Sequence, residues 1–385
     1  MRIAIDGRTI LGNRTGVGVY TDRLVRSLLD IDRVNEYTVF LLEENSGLQA
    51  PNLRKIAVTG HGWPGANRFW ENIILPHYLK KHQTDIYFSP AYVLPILRRS
   101  RKFTGGASKP KFIVTIHDLV GYVYPETFTL KMNLWQRLFV GNAVRTADRI
   151  LADSEATKRD ILKFFRIPDG VIDVVHLPVG ERFRNVRDAG KLEEVKKRYA
   201  LPDRFILYVG TLEPRKNVVR LAKAYGLLPK ELRDRYPLVL AGAPGWFSSG
   251  IIGEIEALNL GDRIRSIGYV DQEDLPAMYT LASVFAYLSL YEGFGAPPLE
   301  AMACGTPVIC SKSSSLPEVV GDAGVLIDPY DVDQISAQLR KLIEDVQWRN
   351  QLIEAGFRRS KKFDPLQMAE RVLRIFEEVS HSPRR

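Results

Sequence analysis

Residues 284–310 read VFAYLSLYEGFGAPPLEAMACGTPVIC, and this run decides the fold. VFAYLSL is apolar and aromatic, as a buried strand requires, and it ends just before Glu292. Gly293 and Gly295 then permit a tight turn, a helical pattern carries Glu300, and PVIC returns as a second apolar strand. Strand, turn, helix and strand in so short a stretch make a βαβ unit, whose two strands lie parallel. The same alternation extends in both directions. RIAID, YTVFLL, KIAV, IYFS, FIVTI, RILA and IDVV occupy the N-terminal half, FILYVG, LVLAG and IRSIGYV lead up to the quoted run, and GVLID follows it. The fold class is α/β, with two doubly wound, Rossmann-like parallel sheets.

At 385 residues the chain exceeds one ordinary core and suits two domains, which makes an interdomain site the default expectation. The rhythm pauses over HLPVGERFRNVRDAGK, residues 176–191. We therefore expect an N-terminal domain over 1–183 and a donor-side domain over 184–363. Asp364 and Pro365 cap and open a last helix, 364–385, expected to pack back on the first domain. Charged residues form 26% of the chain and mean hydropathy is −0.13, a balance that favours folded cores over disorder. No apolar run approaches the roughly twenty residues of a membrane span. MRIAIDGRTI enters a strand pattern with no signal-peptide features, so the expected location is cytoplasmic. Cys304 and Cys310 lack CxxC spacing or a companion histidine and read as buried thiols.

The net charge of +9 is uneven. Residues 1–180 hold 25 Lys+Arg against 17 Asp+Glu, or +8, and the remainder holds 29 against 28, or +1. Arg98, Arg99, Arg101 and Lys102 precede the loop-like TGGASKPK. Such a basic half can draw the protein to anionic headgroups at the inner membrane face or to phosphorylated acceptors; a solvated loop is the alternative.

In doubly wound sheets ligands bind outside the carboxyl ends of the strands. The first strand ends at Asp6 and leads into GRTILGNRTGVGVY, where Gly12, Gly16 and Gly18 form either a phosphate-facing loop or a plain glycine turn before a helix beginning near Val17. The spacing is not GxGxxG, although Glu43 and Glu44 end the next strand. FILYVGTLEPRKN delivers Thr211, Glu213, Arg215 and Lys216 just before a helix with Asn217 as its expected cap. An Arg fork and a Lys point charge suit a diphosphate and the charge that develops as it leaves. Around Glu292, backbone N–H groups of Phe294, Gly295 and Ala296 can approach a phosphate or sugar oxygen closely. Glu300, about one turn into the helix, can accept from vicinal hydroxyls such as those of a ribose.

These motifs resemble the GT-B glycosyltransferases, specifically the retaining family 4, glycosyl transferase group 1, whose E-x7-E signature matches Glu292 through Glu300. GTLEPRKN, AGAPGW, GYV at 268–270, MACGTPVI and SSLPEVVGDAG also resemble that family. RTGVGVY, RFWENIILPHYLKKHQTDIYFSP, TIHDLVGYVYPE and ADSEATKRD resemble its bacterial surface-polysaccharide branch, which often uses mannose or glucose. The resemblance implies two Rossmann-like domains facing each other across a deep cleft, and transfer of a hexose from a UDP- or GDP-sugar to a saccharide or lipid-linked acceptor. It implies that Glu300 binds the ribose, that Arg215 and Lys216 hold the diphosphate, and that Tyr269 and Val270 receive the base. Glu292 would hold the donor sugar's hydroxyls, with Gly210, Thr211, Gly293, Phe294, Gly295, Ala296 and Leu299 completing the donor site. Gly16, Val17 and Gly18 would face the diphosphate, and His117 would stand beside the donor sugar. Retention implies a front-face route in which the departing phosphate oxygen takes the acceptor's proton.

Paired carboxylates also suggest a glycosidase, but Glu300 is expected at a ribose, and Glu292 alone cannot supply both acid and nucleophile. An oxidoreductase would place GxGxxG in the first half. A catalytically inactive sugar-nucleotide-binding relative remains the alternative to an enzyme. Trp63, Phe69 and Trp70 among basic residues raise nucleic-acid binding, yet no RNP, KH or helix-turn-helix signature accompanies them, and packing or an acceptor groove fits them better. Asp30-Ile-Asp32 and Asp331-Val-Asp333 have DxD spacing but sit at helix ends, where aspartates cap. No cofactor and no metal are expected.

Overall fold

Each of the thirteen apolar runs forms a strand in the computed structural model, which describes residues 1–10, 16–42, 46–58, 70–96, 110–245 and 247–382. Gly12, Glu43, Glu44, Trp63, Phe69, Arg98, Arg99, Arg101, Lys102 and Trp246 lie outside the described residues. The first sheet contains β1 (Arg2–Asp6), β2 (Glu36–Leu41), β3 (Leu53–Ala57), β4 (Ile86–Ser89), β5 (Lys111–Ile116), β6 (Arg149–Ala152) and β7 (Ile172–Val174), in the order β3-β2-β1-β4-β5-β6-β7. Every neighbouring pair is parallel; Ile3, for example, stands opposite Tyr37 on one side and Ile86 on the other. The second sheet contains β8 (Ile206–Val209), β9 (Leu238–Ala241), β10 (Ile264–Gly268), β11 (Val284–Tyr287), β12 (Val308–Ser311) and β13 (Val325–Ile327), in the order β10-β9-β8-β11-β12-β13, again all parallel. Strands covered on both faces must be apolar throughout, which is why Ile3, Ala4, Ile5 and the whole of β9 and β11 are buried.

Strand order reverses between β1 and β4 in one sheet and between β8 and β11 in the other. Loops that leave the carboxyl ends of these strands diverge there and open a crevice, so these two switch points are where a ligand would be held.

The chain forms two units, Met1–Pro178 with Asp364–Arg385, and Val179–Phe363. The expected boundary at 183 is therefore corrected by five residues. Val179 N–H bonds the Phe363 carbonyl at 3.0 Å, and Phe183 is buried with its ring edge-on to Tyr279 at 6.1 Å, so this segment belongs with the second core. The C-terminal helix, Pro365–His381, starts where Asp364 Oδ1 accepts the N–H groups of Leu366 at 2.8 Å and Gln367 at 3.0 Å. Its stripe of Met368, Val372, Ile375, Phe376 and Val379 joins Leu24, Val25 and Leu28 of α1 (Gly16–Ile31) in one core of the first unit. Burying a side chain the size of Phe376, which meets Phe88 at 5.5 Å, contributes about 1.5–3 kcal/mol.

One aspartate of each DxD pair has structural partners. Asp32 accepts from Asn35 Nδ2 at 2.7 Å and Tyr37 OH at 2.6 Å, and Asp331 caps the helix Val332–Glu344 through Gln334 N–H. Asn217 departs from expectation: it adopts a left-handed conformation and makes no side-chain cap. Its side chain instead bonds the Pro329 carbonyl and Arg220, fastening the turn to the segment after β13. Cys304 and Cys310 are buried free thiols, and burial pushes both thiols up.

Candidate active site

Arg215 and Lys216 lie in the turn Pro214–Lys216 that follows β8, whereas Glu292 follows β11. Because those strands are neighbours at the switch point, groups 76 residues apart meet. Lys216 Nζ donates to Glu292 Oε1 at 2.6 Å and to Tyr287 OH at 2.7 Å, and Tyr287 OH donates to the same Oε1 at 2.9 Å. Arg215 Nη1 stands 2.9 Å from Glu292 Oε2 and donates to the Tyr291 carbonyl at 2.5 Å, while Nη2 reaches Glu213 Oε1 at 2.5 Å. None of the four charged side chains is more than 13% exposed. Two cations and two carboxylates thus form a buried quartet of zero formal charge.

Burial resists ionisation of Glu292, but Arg215 and Lys216 outweigh it and hold the carboxyl down to about 2. Lys216 bears the opposite strain: burial and its cationic neighbour Arg215 lower its pKa, against the pull of Glu292 and Glu213. Glu292 accordingly has a first task that differs from the one expected. Lys216, Tyr287 and Arg215 bond its oxygens and Ser289 stands against them as well, so its first task is to anchor the cations.

This pairing sets a pH dependence. The folded-state pKa of Glu292 lies below its ordinary 4.5, so the stability it contributes is fully present above 4.5 and is lost as pH falls toward about 2. At about 1.4 kcal/mol per unit the loss is about 3 kcal/mol. The difference in urea unfolding free energy between wild type and Glu292→Gln should shrink over that window; a difference independent of pH would remove the ion pair from the stability of the fold.

Gly295 opens α2 (Ala296–Ala303) with φ of +96°, and a Cβ there would stand 2.6 Å from Leu316 Cδ2, so glycine answers both backbone and space. Ser315 Oγ lies 2.9 Å from the Glu292 carbonyl and 2.6 Å from that of Phe294, and Ser314 Oγ lies 2.5 Å from the former. These hydroxyls fasten the carbonyl side of the turn. Pro297 and Pro298 carry no N–H, so the N–H groups that this helix start could offer an anion are those of Gly295 and Ala296.

Glu300 lies outside the quartet, where Tyr279 OH donates to its Oε2 at 3.2 Å. Tyr269 is exposed after β10, while Val270 beside it is buried. The Gly210 N–H is bonded to the Ala241 carbonyl at 2.9 Å, and the Thr211 carbonyl accepts from Tyr208 OH at 3.1 Å. Leu299 is corrected: only 1% exposed, its side chain packs in the core and does not face a ligand. Phe294 is likewise buried, edge-on to Phe363 at 5.7 Å, so only its backbone is suited to a ligand.

In the first unit, His117 follows β5 and is buried between the edges of Tyr20 and Tyr92 at 4.9 and 5.0 Å. Its Nδ1 lies 2.7 Å from Asp153 Oδ2, and its Nε2 lies 2.8 Å from the Pro90 carbonyl. The Pro90 carbonyl accepts, so Nε2 carries a proton, and one proton is shared between Nδ1 and the Asp153 carboxyl. Burial opposes a charge on the ring, but Asp153 overrides it and raises the pKa. Action of His117 on a donor sugar would require exchange of its bond to Pro90. Gly16 is exposed at the start of α1, Val17 is half-buried and Gly18 is buried.

Arg8 escaped the sequence reading. It follows β1 at the first switch point, grips Asp6 through Nε at 2.8 Å and Nη2 at 2.7 Å, meets Glu71 at 2.9 Å, and stacks over Trp70 at 4.5 Å. Trp70 itself packs, 3% exposed, against Phe40. The available signal was the Asp6-x-Arg8 spacing at the first strand end; Tyr287, the last residue of an otherwise apolar strand, was the matching signal near Glu292.

Two parallel-sheet Rossmann-like units, with a buried cation pair and a glycine turn at one switch point, define the GT-B class of glycosyltransferases. Residues 14–181 match Glycosyltransferase Family 4, and residues 192–359 match Glycosyl transferases group 1. O-antigen chain mannosyltransferase B of Escherichia coli is 33% identical over 364 residues, 91% of this chain and 92% of that protein. The serotype-specific mannosyltransferase WbdA of Escherichia coli is 34% identical over 260 residues, 66% of this chain but only 32% of WbdA, so the likeness spans about a third of that protein's length. HepE of Anabaena, solved with UDP-glucose, shares the fold at a TM-score of 0.75 and 17% identity, covering 98% of this chain and 100% of that one. WaaG, a glycosyltransferase involved in lipopolysaccharide biosynthesis, shares it at 0.72 and 16% identity, over 97% and 99%. The chain belongs to glycosyltransferase family 4 and is a hexosyltransferase of polysaccharide biosynthesis.

Proposed function

We propose that the protein transfers mannose from GDP-mannose, with retention of configuration, to a saccharide or lipid-linked saccharide acceptor. The observation that carries this reading is the buried Arg215–Lys216 pair beside the Glu292–Ala296 turn. Two cations already desolvated and oriented present N–H donors to a departing diphosphate without reorganising. A carboxylate held at about 2 is a poor proton acceptor at neutral pH, so Glu292 is not the base. The bond from the anomeric carbon to phosphate oxygen breaks, the bond to the acceptor oxygen forms on the same face, and the acceptor's proton passes to the departing phosphate oxygen. Mannose is chosen over glucose because O-antigen chain mannosyltransferase B and WbdA, at 33% and 34% identity, are mannosyltransferases.

Glu300 is assigned to the ribose hydroxyls. Glu300→Ala should weaken GDP binding by about 1.5–3 kcal/mol, read by titration calorimetry, because a charged hydrogen bond is lost. Undiminished affinity for both GDP and UDP would remove the assignment. Tyr269 and Val270 are assigned to the base, Gly16–Gly18 to the diphosphate and His117 to the donor sugar. The basic N-terminal half is assigned to peripheral contact with the cytoplasmic membrane face.

The test is a thermal-shift and donor-hydrolysis screen over nucleotide sugars, with and without EDTA. GDP-mannose should raise Tm and be turned over in both conditions. A preference for UDP-glucose would correct the donor, silence across the whole screen would overturn the reading, and loss of activity in EDTA would assign a metal.

A further inference from the structure

The second unit carries a cavity of about 650 Å³ that the donor site does not use. Arg204, Tyr236, Ser283 and Pro307 line it, and each stands one or two residues ahead of β8, β9, β11 or β12. The cavity therefore lies at the amino ends of the second sheet, whereas Arg215, Lys216 and Glu292 follow the carboxyl ends. α2 runs between the two places. It starts at the Gly295 turn, and Gly305, two residues beyond its last residue Ala303, lines the cavity. Its eight residues span about 12 Å, too far for one phosphoryl group to touch both sites.

Charge selects the occupant. Arg204, Arg235 at the end of the helix Lys230–Arg235, and Arg349 at the start of the helix Val346–Ser360 all line the cavity, brought there by three different elements. Among the described residues Glu344 is the one acid of the lining, so three cations face one carboxylate, a balance of +2. That carboxylate is already engaged, since Arg340 Nε donates to its Oε2 at 2.9 Å. A concave site with such an excess draws an anion. The arginines also keep donors for one. Arg349 Nη1 donates to the carbonyls of Ile343 at 3.0 Å and Leu342 at 3.3 Å, which fixes the side chain at the end of the helix Val332–Glu344. Arg204 Nη1 donates to Tyr236 OH at 3.3 Å, and the Arg204 and Arg235 guanidiniums lie 5.8 and 5.7 Å from the centre of the Tyr236 ring. Among the described residues the Arg235 side chain makes no hydrogen bond and no ion pair, which leaves five N–H donors for a ligand. Guanidinium forks match phosphoryl oxygens two at a time. The volume falls in the range of small-molecule sites, about 300–1,000 Å³, and Leu232 and Ile353 add apolar surface, so the space also takes a ring attached to the phosphate.

We propose that this cavity binds a phosphomonoester with a ring-sized body, a sugar phosphate or a nucleoside monophosphate, whose phosphoryl group is held by Arg204, Arg235 and Arg349. The site is separate from the transfer reaction proposed above. Titration calorimetry of the full chain with mannose 6-phosphate, AMP and inorganic phosphate tests it. One of the two esters should bind more tightly than inorganic phosphate, and the one that does names the source of the phosphoryl group. Arg235→Ala and Arg204→Ala should each weaken that ester about tenfold or more, because charged hydrogen bonds to the ligand are lost. Tm of the unliganded variants should stay at the wild-type value, since both side chains are exposed. No binding of any probe, or inorganic phosphate bound as tightly as either ester, would overturn the proposal. So would an ester affinity unchanged in both variants, since the ester would then sit elsewhere, as at Arg215 and Lys216. Turnover of GDP-mannose without added ester should be equal in wild type and Arg235→Ala. Its absence from wild type, with ester binding intact, would remove the proposed function and leave this second site standing.

Discussion

Replacing Arg215 by alanine is expected to lower kcat by about 10²- to 10³-fold with little change in KM for the donor, because its guanidinium is assigned to charge that grows as the diphosphate departs. A second effect accompanies the first. Arg215 also bonds Glu213, Glu292 and the Tyr291 carbonyl, and its removal leaves two buried carboxylates with Lys216 as the remaining cation of the quartet. Truncating one partner of a buried ion pair costs about 3–5 kcal/mol, so Tm should fall as well. Arg215→Lys separates the two effects. It restores charge without the planar fork that reaches three acceptors at once, so it should recover most of the Tm and only part of kcat. A folded Arg215→Ala protein with wild-type kcat would end the assignment of this residue to the leaving group.

Gly242→Ala should destabilise the second unit by about 3 kcal/mol or more, a loss visible in thermal denaturation even without substrate. A Cβ on Gly242 would stand 1.9 Å from the Gly210 carbonyl oxygen, and this glycine holds φ of +158°. Both obstacles are backbone, so no side-chain rotamer relieves them. The Gly242 N–H is spent on the Gly268 carbonyl at 2.7 Å, which ties the ends of β9 and β10 together, and a Cβ on Gly242 would also stand 3.3 Å from the N of Thr211, where the Thr211–Lys216 turn begins. Since that turn carries Arg215 and Lys216, any folded Gly242→Ala protein should also lose turnover. A Tm within a degree of wild type would show that these loops can part without cost.

Much of the architecture is legible in the residues because parallel strands covered on both faces have to be apolar throughout, and apolar runs interrupted by helical periods are visible without coordinates. EGFGAPPLE is readable for a related reason: glycines at a strand end are required wherever the backbone turns sharply against a neighbour, and Gly295 with Leu316 behind it is such a place. The domain boundary was misplaced by five residues because a hydrogen bond from Val179 to Phe363 couples positions far apart in the chain. Leu299 and Asn217 were misread for the same kind of reason, one being turned into the core and the other bonded to Pro329.

The sequence by itself determined two doubly wound sheets, the family, and the residue types brought to the donor site. Only the tertiary structure decided what those residues do to one another. The reversal of strand order places β8 beside β11, so that Arg215 and Lys216 close on Glu292 and hold that carboxyl ionised against its burial. It also decided that the apolar side chains of residues 130–138 stand in solvent. Periodicity records which side of a helix is apolar; whether that side meets a core, water or a membrane depends on which elements pack beside it.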